Sequence, residues 1–229
     1  MSARFIRRRR LGAIPAEAAP FSPRNAVLHG DCIALMSDLP ARSVDLVLCD
    51  PPYLCGYVDR SGRRVANDTN PAWLVPAFAE AFRVLQNDAY CVSFYGWHQI
   101  DRFMSAWRAA GFRPVAHLSF TKRYASSRRF VAARHEMAYV LAKGHPSPPA
   151  TPIDDVRDWD YSGNRLHPTQ KPVSALAPLI ESFCPRGGLV LDPFCGSGST
   201  LVAAKDSGRD WLGMELEAHY CAVARRRLR

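Results

Sequence analysis

The sequence predicts an α/β fold in which a mostly parallel sheet carries helices on both faces. Short apolar runs alternate with segments of helical periodicity along the chain, and no internal repeat stands out. Two of the apolar runs end in loops built from Pro or Gly, as strands do in open α/β sheets. The 229 residues, 48% of them hydrophobic, suffice for one domain with a sizeable core.

The first half of the chain begins with residues 1–24, which mix Arg, Ala and Pro without periodicity and predict a flexible basic arm. Residues 25–229 form a single predicted domain. Strands are expected at 26–29, 44–49 and 90–95, and helices at 32–39, 71–86 and 100–110. The run 44–49 is apolar and stops at two prolines, which is typical of a buried parallel strand. The polar stretch 54–70 predicts a mobile loop.

The second half continues the alternation. Strands are expected at 115–121, 136–142, 188–191 and 211–214, and helices at 172–184, at 200–207 and from 217 onward. A basic segment separates the first two of these strands. Residues 144–166 are rich in Pro, Asp and Ser, and predict a second short loop.

Composition narrows the function classes. The formal charge of +9 favours an anionic partner. Seven scattered cysteines without zinc spacing predict reduced thiols in the cytoplasm and no metal site. Neither a secretory signal nor a membrane span is expected from the apolar runs.

A glycine loop, Gly196-Ser197-Gly198, lies between a predicted strand and a predicted helix, where backbone comes close to a ligand. Leu201 stands where a dinucleotide fingerprint needs a small residue, and the Gly-Lys-Ser/Thr of a phosphate-binding loop is absent from the sequence. Taken alone, the loop leaves an ordinary glycine turn open. Glu215, at the end of the next strand, suits ribose hydroxyls and favours a nucleoside cofactor.

A second loop, Asp50-Pro51-Pro52-Tyr53, ends the strand 44–49. The prolines hold the backbone rigid, so Asp50 and the Pro51 carbonyl can each accept one N–H of an exocyclic amine. Tyr53 can stack on a planar base, an interaction of roughly 1–3 kcal/mol. A rigid Asp-Pro turn without catalytic role is the plainer interpretation of the same residues.

These motifs together resemble the β-class of DNA amino-methyltransferases, over residues 25–225. The resemblance implies a Rossmann-like methyltransferase fold with a mostly parallel seven-stranded sheet and a circularly permuted motif order, in which Asp-Pro-Pro-Tyr precedes Asp-Pro-Phe-x-Gly-Ser-Gly. It also implies S-adenosyl-L-methionine as the cofactor. The implied cofactor residues are Asp31, Cys32, Asp50, His167, Thr169, Lys171, Asp192, Phe194, Gly196, Ser197, Gly198, Thr200 and Glu215. The expected DNA contacts are Lys122, Arg123, Arg128, Arg129, Arg134 and His135.

The implied reaction is direct, in-line transfer of a methyl group to adenine N6 of a flipped-out base, with Asp50, Pro51, Pro52 and Tyr53 as the catalytic residues. Adenine is preferred because the family's adenine enzymes usually carry Asp first in this motif. Cytosine N4, an RNA or protein substrate, and a binding module without activity remain alternatives. Cys195 is not expected to act as a nucleophile.

Double-stranded DNA is the implied partner, and homodimers occur in the family. Only 54–70 and 144–166 stand in place of a large target-recognition domain, which predicts a short or relaxed recognition sequence with much of the affinity from phosphates. Small enzymes of this kind resemble those of bacterial, phage and plasmid restriction-modification systems. The chain itself does not say whether a partner nuclease exists.

Overall fold

The computed structural model describes residues 22–59, 62–128 and 130–229. The strands are β1 (Ala26–His29), β2 (Val44–Cys49), β3 (Leu85–Phe94), β4 (Arg113–Lys122), β5 (Ser127–Arg128), β6 (Ala132–Ala133), β7 (His135–Lys143), β8 (Val156–Trp159), β9 (Leu189–Asp192) and β10 (Asp210–Glu215). The helices are α1 (Cys32–Ser37), α2 (Leu74–Val84), α3 (Ile100–Ala110), α4 (Val173–Phe183), α5 (Ser199–Asp206) and α6 (Ala218–Arg227), with 3-10 turns at Pro71–Trp73 and Trp97–Gln99. Most of the predicted basic arm, residues 1–21, lies outside the described residues.

Eight strands form the main sheet in the order β1-β10-β9-β2-β3-β7-β4-β8. The first five run parallel, β7 is antiparallel to both of its neighbours, and β8 is parallel to β4. The mostly parallel sheet is therefore confirmed, whereas the count of seven strands is wrong for this chain. The additional strand, β8, lies inside the predicted loop 144–166, where its short, polar sequence at the sheet edge gives little strand signal.

Helices cover both faces of the sheet, as predicted. One core lies under α1, α2 and α3 and contains Met36, Phe78 and Trp107, all essentially inaccessible to solvent. The other lies under α4, α5 and α6 and contains Leu176 and Leu201. Burial from both sides explains why the central strands are continuous apolar runs rather than alternating ones.

Most elements begin and end close to the predicted residues, and the bounds of β1 and α3 are the predicted ones. A larger difference concerns β3, which starts at Leu85 instead of residue 90. Leu85 is fully buried and pairs with Val44 across a register shift, so packing against β2 ends α2 earlier than its helical periodicity suggests. None of the helices in the described ranges has the length and apolar character needed to span a membrane.

The loops that carry chemistry all lie at one edge of the sheet. Strands β2 and β9 are neighbours, with Val47 opposite Leu191, so the loops that follow Cys49 and Asp192 emerge side by side. From β2 the chain crosses through α2 to β3 on one side, and from β9 it crosses through α5 to β10 on the other. Such a reversal opens a crevice beyond the strand ends, which is where open α/β sheets bind ligands.

Candidate active site

A cleft of about 980 Å³, open mouth included, lies over the carboxyl ends of β1, β2, β9 and β10. Twelve of the predicted site residues line it: Asp31, Cys32, Asp50, Pro51, Pro52, Tyr53, His167, Thr169, Lys171, Phe194, Gly196 and Glu215. Asp192, Ser197 and Thr200 line a smaller adjoining cavity of about 330 Å³ that shares Asp50 with the cleft. The structure therefore brings together two loops, named here by their predicted roles: the catalytic loop, Asp50–Tyr53, and the cofactor loop, residues 192–200.

Asp50 is a largely buried carboxylate, its side chain 18% exposed, and it lies where the two cavities meet. Its Oδ2 lies 2.7 Å from Lys171 Nζ, and the Lys171 side chain is only 8% exposed. Asp50 Oδ1 is buried and has no hydrogen-bond partner within the described part of the chain. Burial raises the pKa of Asp50, and the cation of Lys171 opposes that rise. One oxygen is thus fixed by an ion pair, while the other is an unused acceptor.

Tyr53 extends from the catalytic loop towards β7. Its hydroxyl donates to Glu136 Oε2 at 3.4 Å, and Glu136 Oε1 pairs with Lys122 Nζ. Burial opposes the ionisation of Glu136, but Lys171 and Lys122 outweigh it and lower its pKa. The backbone of Tyr53 also packs tightly against the segment that follows β3, because a Cβ at Gly96 would come within 2.9 Å of the Tyr53 carbonyl oxygen. These contacts leave Tyr53 little freedom to move.

The cofactor loop is fastened by a carboxylate from the neighbouring strand. Gly196 N donates to Glu215 Oε2 at 2.9 Å, and Glu217 N donates to Glu215 Oε1 at 2.8 Å. Gly198 has φ 83° at the start of α5, and a Cβ there would lie 3.0 Å from Ala224 Cβ of α6. A side chain at position 198 would therefore be strained and would press on α6.

His167 and Thr169 lie against this loop. The His167 ring is 4.3 Å from that of Tyr220, and its Nδ1 lies 3.1 Å from Thr169 Oγ1. Burial, together with the positive charge of Lys171, lowers the pKa of His167 to about 4. The imidazole is consequently neutral near pH 7 and can take part in packing and hydrogen bonding without adding charge.

Asp31, which also lines the cleft, caps the N-terminus of α1 and accepts a hydrogen bond from Ile33 N at 2.8 Å. Only one of its oxygens is used in this cap, so the carboxylate can still meet a donor from the cleft. Cys32, the first residue of α1, is buried beside it, and burial raises the pKa of its thiol to about 12. Cys32 therefore contributes apolar surface rather than charge.

Burial favours the neutral form of two groups next to the glycine loop. Burial raises the pKa of Asp192 to about 7, although bonds from Thr200 and from Phe194 N oppose it. Burial and the neighbouring Asp192 and Glu215 also raise the pKa of Cys195. A protonated thiol is a poor nucleophile, which agrees with the expectation that Cys195 has no such role.

The expected DNA contacts separate into two groups. Arg123, Arg128, Arg134 and His135 are exposed around the small β5–β6 ribbon. Lys122 is 5% exposed and paired with Glu136, so its expected phosphate contact requires correction: it belongs to the surroundings of Tyr53. Sequence alone cannot separate it from its neighbours, because every second residue of a strand turns inward. Arg129 lies outside the described residues.

Two further residues of the cleft escaped prediction. Asp68, 4% exposed, accepts from Leu54 N at 2.7 Å and Tyr57 N at 2.6 Å, so hydrogen bonds hold the start of the segment that was predicted to be mobile. Trp73 meets the Phe194 ring edge-on at 5.2 Å. Helical periodicity marked Trp73 only as a core residue, and nothing in the polar stretch 54–70 distinguished Asp68.

Comparison with known proteins agrees with this geometry. The sequence model of the family described as DNA methylase matches residues 44–226. YubD of Escherichia coli (strain K12), which is named as a methylase, is 54% identical over 201 residues, covering 88% of this chain and 88% of YubD.

Two solved structures illustrate the fold that this chain shares. The complex of M1.HpyAVI with SAM has a TM-score of 0.71 at 22% identity, covering 89% of this chain and 98% of M1.HpyAVI. The cytosine-N4-specific PvuII DNA methyltransferase has a TM-score of 0.72 at 16% identity, covering 88% of this chain and 85% of that enzyme. At these identities the likeness establishes the fold.

Proposed function

The chain belongs to the DNA methylase family, and from this premise we propose that it methylates adenine N6 in DNA, with S-adenosylmethionine as the methyl donor. The observation that carries the proposal is the state of Asp50. A buried carboxylate oxygen without a partner costs free energy unless a ligand satisfies it. An amino N–H of a base entering the cleft is a donor of the kind that Oδ1 lacks among the described residues.

The cleft fits the cofactor proposed for it. Glu215 holds the glycine loop with both carboxylate oxygens, and each oxygen keeps a lone pair that can accept from a ribose hydroxyl. Trp73 and Phe194 offer an apolar wall, and Asp31 offers a carboxylate at the end of β1. When bound, the cofactor supplies a methyl group on a positively charged sulfur.

Several groups around Asp50 together position the target amine, each through a different contact. Asp50 Oδ1 and the Pro51 carbonyl each accept one N–H, which directs the nitrogen lone pair away from both oxygens. Lys171 holds Oδ2, and the Tyr53 ring stacks on the base. As nitrogen gains a carbon it becomes positive and must lose a proton. Asp50, which accepts one of the two N–H groups and whose pKa burial raises, is the group proposed to take that proton.

Adenine is favoured over cytosine by the first residue of the catalytic loop. Asp50 resembles the acid of the family's adenine enzymes, whereas the N4 enzymes usually carry Ser there. The fold does not decide between the bases, since the cytosine-N4-specific PvuII enzyme has the same fold. The proposal of adenine N6 thus depends on this one residue.

Double-stranded DNA is the proposed substrate, as membership of the DNA methylase family suggests. In a duplex, the target amine can reach Asp50 only after its base has left the stack. The exposed arginines near the β5–β6 ribbon suit phosphates on either side of such a base. Loops 54–70 and 144–166 and the ribbon offer few side chains to read base edges, so we propose a short or relaxed recognition sequence. Mapping methylation across a whole unmethylated genome tests this, and one long, strictly defined site would contradict it.

The reaction itself is tested by incubating the protein with unmethylated DNA and S-adenosylmethionine, digesting the DNA to nucleosides and identifying the products by mass spectrometry. N6-methyladenine is expected. Parallel incubations with RNA and with protein, using labelled cofactor, separate the remaining substrate classes.

Variants test whether the methylated product depends on Asp50. Asp50→Ala is expected to abolish product while retaining cofactor binding, and Asp101→Ala, at an exposed acid on α3, is expected to match the wild type. N4-methylcytosine would overturn the choice of base but not the reaction. Labelled RNA or protein with unlabelled DNA would overturn the proposal as a whole, as would full activity of Asp50→Ala.

A further inference from the structure

The β5–β6 ribbon projects from the sheet next to the catalytic loop. Ser127 pairs with Ala133 and Arg128 with Ala132, and backbone bonds close the arms down to Lys122, whose N–H donates to the Arg134 carbonyl at 2.7 Å. The arms continue the sheet strands β4 and β7. Those two strands end at the Lys122–Glu136 pair that contacts Tyr53, so the ribbon rises from the wall of the base pocket.

The turn of this ribbon carries exposed apolar side chains. Phe130 is 103% exposed and Val131 is 74% exposed. Scattered apolar residues are ordinary on protein surfaces. The position is what distinguishes Phe130. Its ring lies at the turn between two short strands and is fully exposed among the residues that the structure describes, so an approaching partner can contact it directly.

Basic side chains surround the apolar turn. Arg123, Arg128 and Arg134 are exposed, and none of them forms an ion pair with a carboxylate in the ranges that the structure describes. Unpaired guanidinium groups around an aromatic ring complement a polyanion that has an apolar interior. Double-helical DNA has phosphates outside and stacked bases inside, whereas a second copy of this chain would present the same positive charge.

The reach of the ribbon suits the same partner. Phe130 lies six residues from Glu136, which at about 3.3 Å per residue of strand spans roughly 20 Å. That span exceeds the depth of either groove of DNA, about 8 Å, so an arm of this length can carry the turn to the base stack. Removing a base from a duplex costs unstacking and unpairing energy, and proteins offset such costs by inserting apolar side chains between base steps.

We propose that Phe130 enters the base stack of the duplex where the target base has left it, while Arg123, Arg128 and Arg134 bind the flanking phosphates. This inference rests on the proposed function, since it assigns the ribbon a part in delivering the base to Asp50. Phe130 is therefore a positioning residue, and it contacts neither the cofactor nor the reacting amine.

The test compares two oligonucleotide duplexes that contain the mapped methylation site. In one the target base is paired, and in the other it faces an abasic position, so that little pairing energy opposes its exit. With Phe130→Ala, the single-turnover methylation rate on the paired duplex is expected to fall about 10-fold or more, the size of a lost stacking contact. On the abasic duplex the rate is expected to stay within about threefold of wild type, since the cost that Phe130 offsets is largely absent.

Two further variants sharpen the comparison. Phe130→Trp keeps an aromatic ring and is expected to restore the paired-duplex rate. Val115→Ala removes an exposed apolar side chain at the far end of β4 and is expected to change neither rate. Circular dichroism and cofactor binding check that each variant is folded. Because the Phe130 side chain is fully exposed, its replacement is not expected to disturb the core.

The outcomes separate this inference from the function on which it rests. A wild-type protein that methylates neither duplex contradicts the proposed function. If the wild type is active, the wedge role is overturned by an unchanged paired-duplex rate in Phe130→Ala, or by an equal fall on both duplexes. Sedimentation of both proteins is measured alongside: conversion of a dimer to a monomer by Phe130→Ala would assign the turn to contacts between copies and likewise overturn the proposal.

Discussion

The ammonium of Lys171 and the carboxylate of Asp50 form a buried ion pair, with Nζ 2.7 Å from Oδ2, at the point where the catalytic loop meets the cofactor loop. The pair gives the two oxygens of Asp50 different tasks. Oδ2 is neutralised by Lys171, and Oδ1 has no partner in the described structure. Lys171 Nζ also lies 5.1 Å from the centre of the Tyr53 ring and 5.3 Å from that of Phe94, so aromatic faces hold the cation in place.

The first prediction concerns the pH dependence that this ion pair sets. Burial already raises the pKa of Asp50, and Lys171 restrains that rise. Without the cation the pKa climbs further, and because the ionised carboxylate is the active form, activity is lost at a higher pH. Lys171→Met is therefore expected to move the acid limb of the single-turnover rate profile upward in pH.

A matched variant distinguishes charge from packing. Lys171→Arg keeps the cation and is expected to leave the acid limb close to that of the wild type, even where the maximum rate falls. Thermal unfolding of both variants monitors the fold, because breaking a buried pair costs roughly 3–5 kcal/mol. An acid limb that stays in place in Lys171→Met would show that the lysine does not control the ionisation of Asp50.

The second prediction concerns stability and rests on Asp192. Its pKa is about 7 in the folded protein, against an ordinary value of 3.8. Between these values the folded state binds more protons than the unfolded state, so the free energy of unfolding falls as pH rises through this window. The shift corresponds to about 4 kcal/mol as an upper bound.

Asp192→Asn removes that dependence. The amide oxygen can still accept from Phe194 N, and no charge remains to be buried. Urea unfolding at a series of pH values is expected to show a flatter profile for Asp192→Asn and a gain in stability above pH 7 relative to the wild type. Asp206→Asn, at an exposed acid on α5, serves as the control. Parallel wild-type and Asp192→Asn profiles would contradict the prediction.

The parts of the site that could be predicted are local motifs of consecutive residues. Asp50 directly follows the buried strand β2, and Glu215 is the last residue of β10. The carboxyl ends of parallel strands lie at one edge of the sheet, whatever the details of packing. The glycine loop likewise directly follows a strand, β9. The order of these residues along the chain is therefore enough to predict that they lie at this edge.

The parts that could not be predicted depend on contacts between distant segments. Lys122 and Glu136 meet because β4 and β7 pair antiparallel, which no local pattern encodes. Asp68 accepts a hydrogen bond from Leu54 N, 14 residues earlier in the chain, and it lies in a stretch without periodicity. The edge strand β8 has too little apolar character to stand out from its loop. In each case tertiary pairing, rather than local propensity, determined the structure.

The third prediction addresses cofactor affinity. Glu215 accepts from two backbone N–H groups and lines the cleft. In Glu215→Gln one oxygen becomes an NH₂ group that faces a backbone donor, so the glycine loop loses an anchor and the ribose loses an acceptor. Hydrogen bonds to charged groups contribute about 1.5–3 kcal/mol, and affinity is expected to fall roughly 10- to 100-fold.

Isothermal titration with S-adenosylmethionine measures this loss. The rate at saturating cofactor is expected to change much less than the affinity, because the Glu215 carboxylate bonds to Gly196 N and Glu217 N and, among the described residues, to none of Asp50–Tyr53. Glu181→Gln, at an exposed acid on α4, is the matched control. Unaltered affinity of Glu215→Gln would remove Glu215 from the cofactor site.

The fourth prediction concerns Asp68, which fastens the chain just after the catalytic Tyr53. Its carboxylate accepts from Leu54 N and Tyr57 N, and Cys55 Sγ lies 3.4 Å from Oδ2. Asp68→Ala leaves two backbone donors without acceptors, which costs about 1–3 kcal/mol each unless the loop moves out to water. Either response displaces Tyr53, so the methylation rate at saturating cofactor is expected to fall at least about 10-fold.

A double-mutant cycle separates this positioning effect from a general loss of structure. If Asp68 acts through the placement of Tyr53, then Asp68→Ala lowers the rate far less in a Tyr53→Ala background than in the wild type. Asp68→Asn keeps one acceptor oxygen and is expected to have an intermediate rate, and Asp154→Ala, at an exposed acid, a normal one. Additive losses of Asp68→Ala and Tyr53→Ala would mean that Asp68 supports the fold of the cleft without positioning the tyrosine.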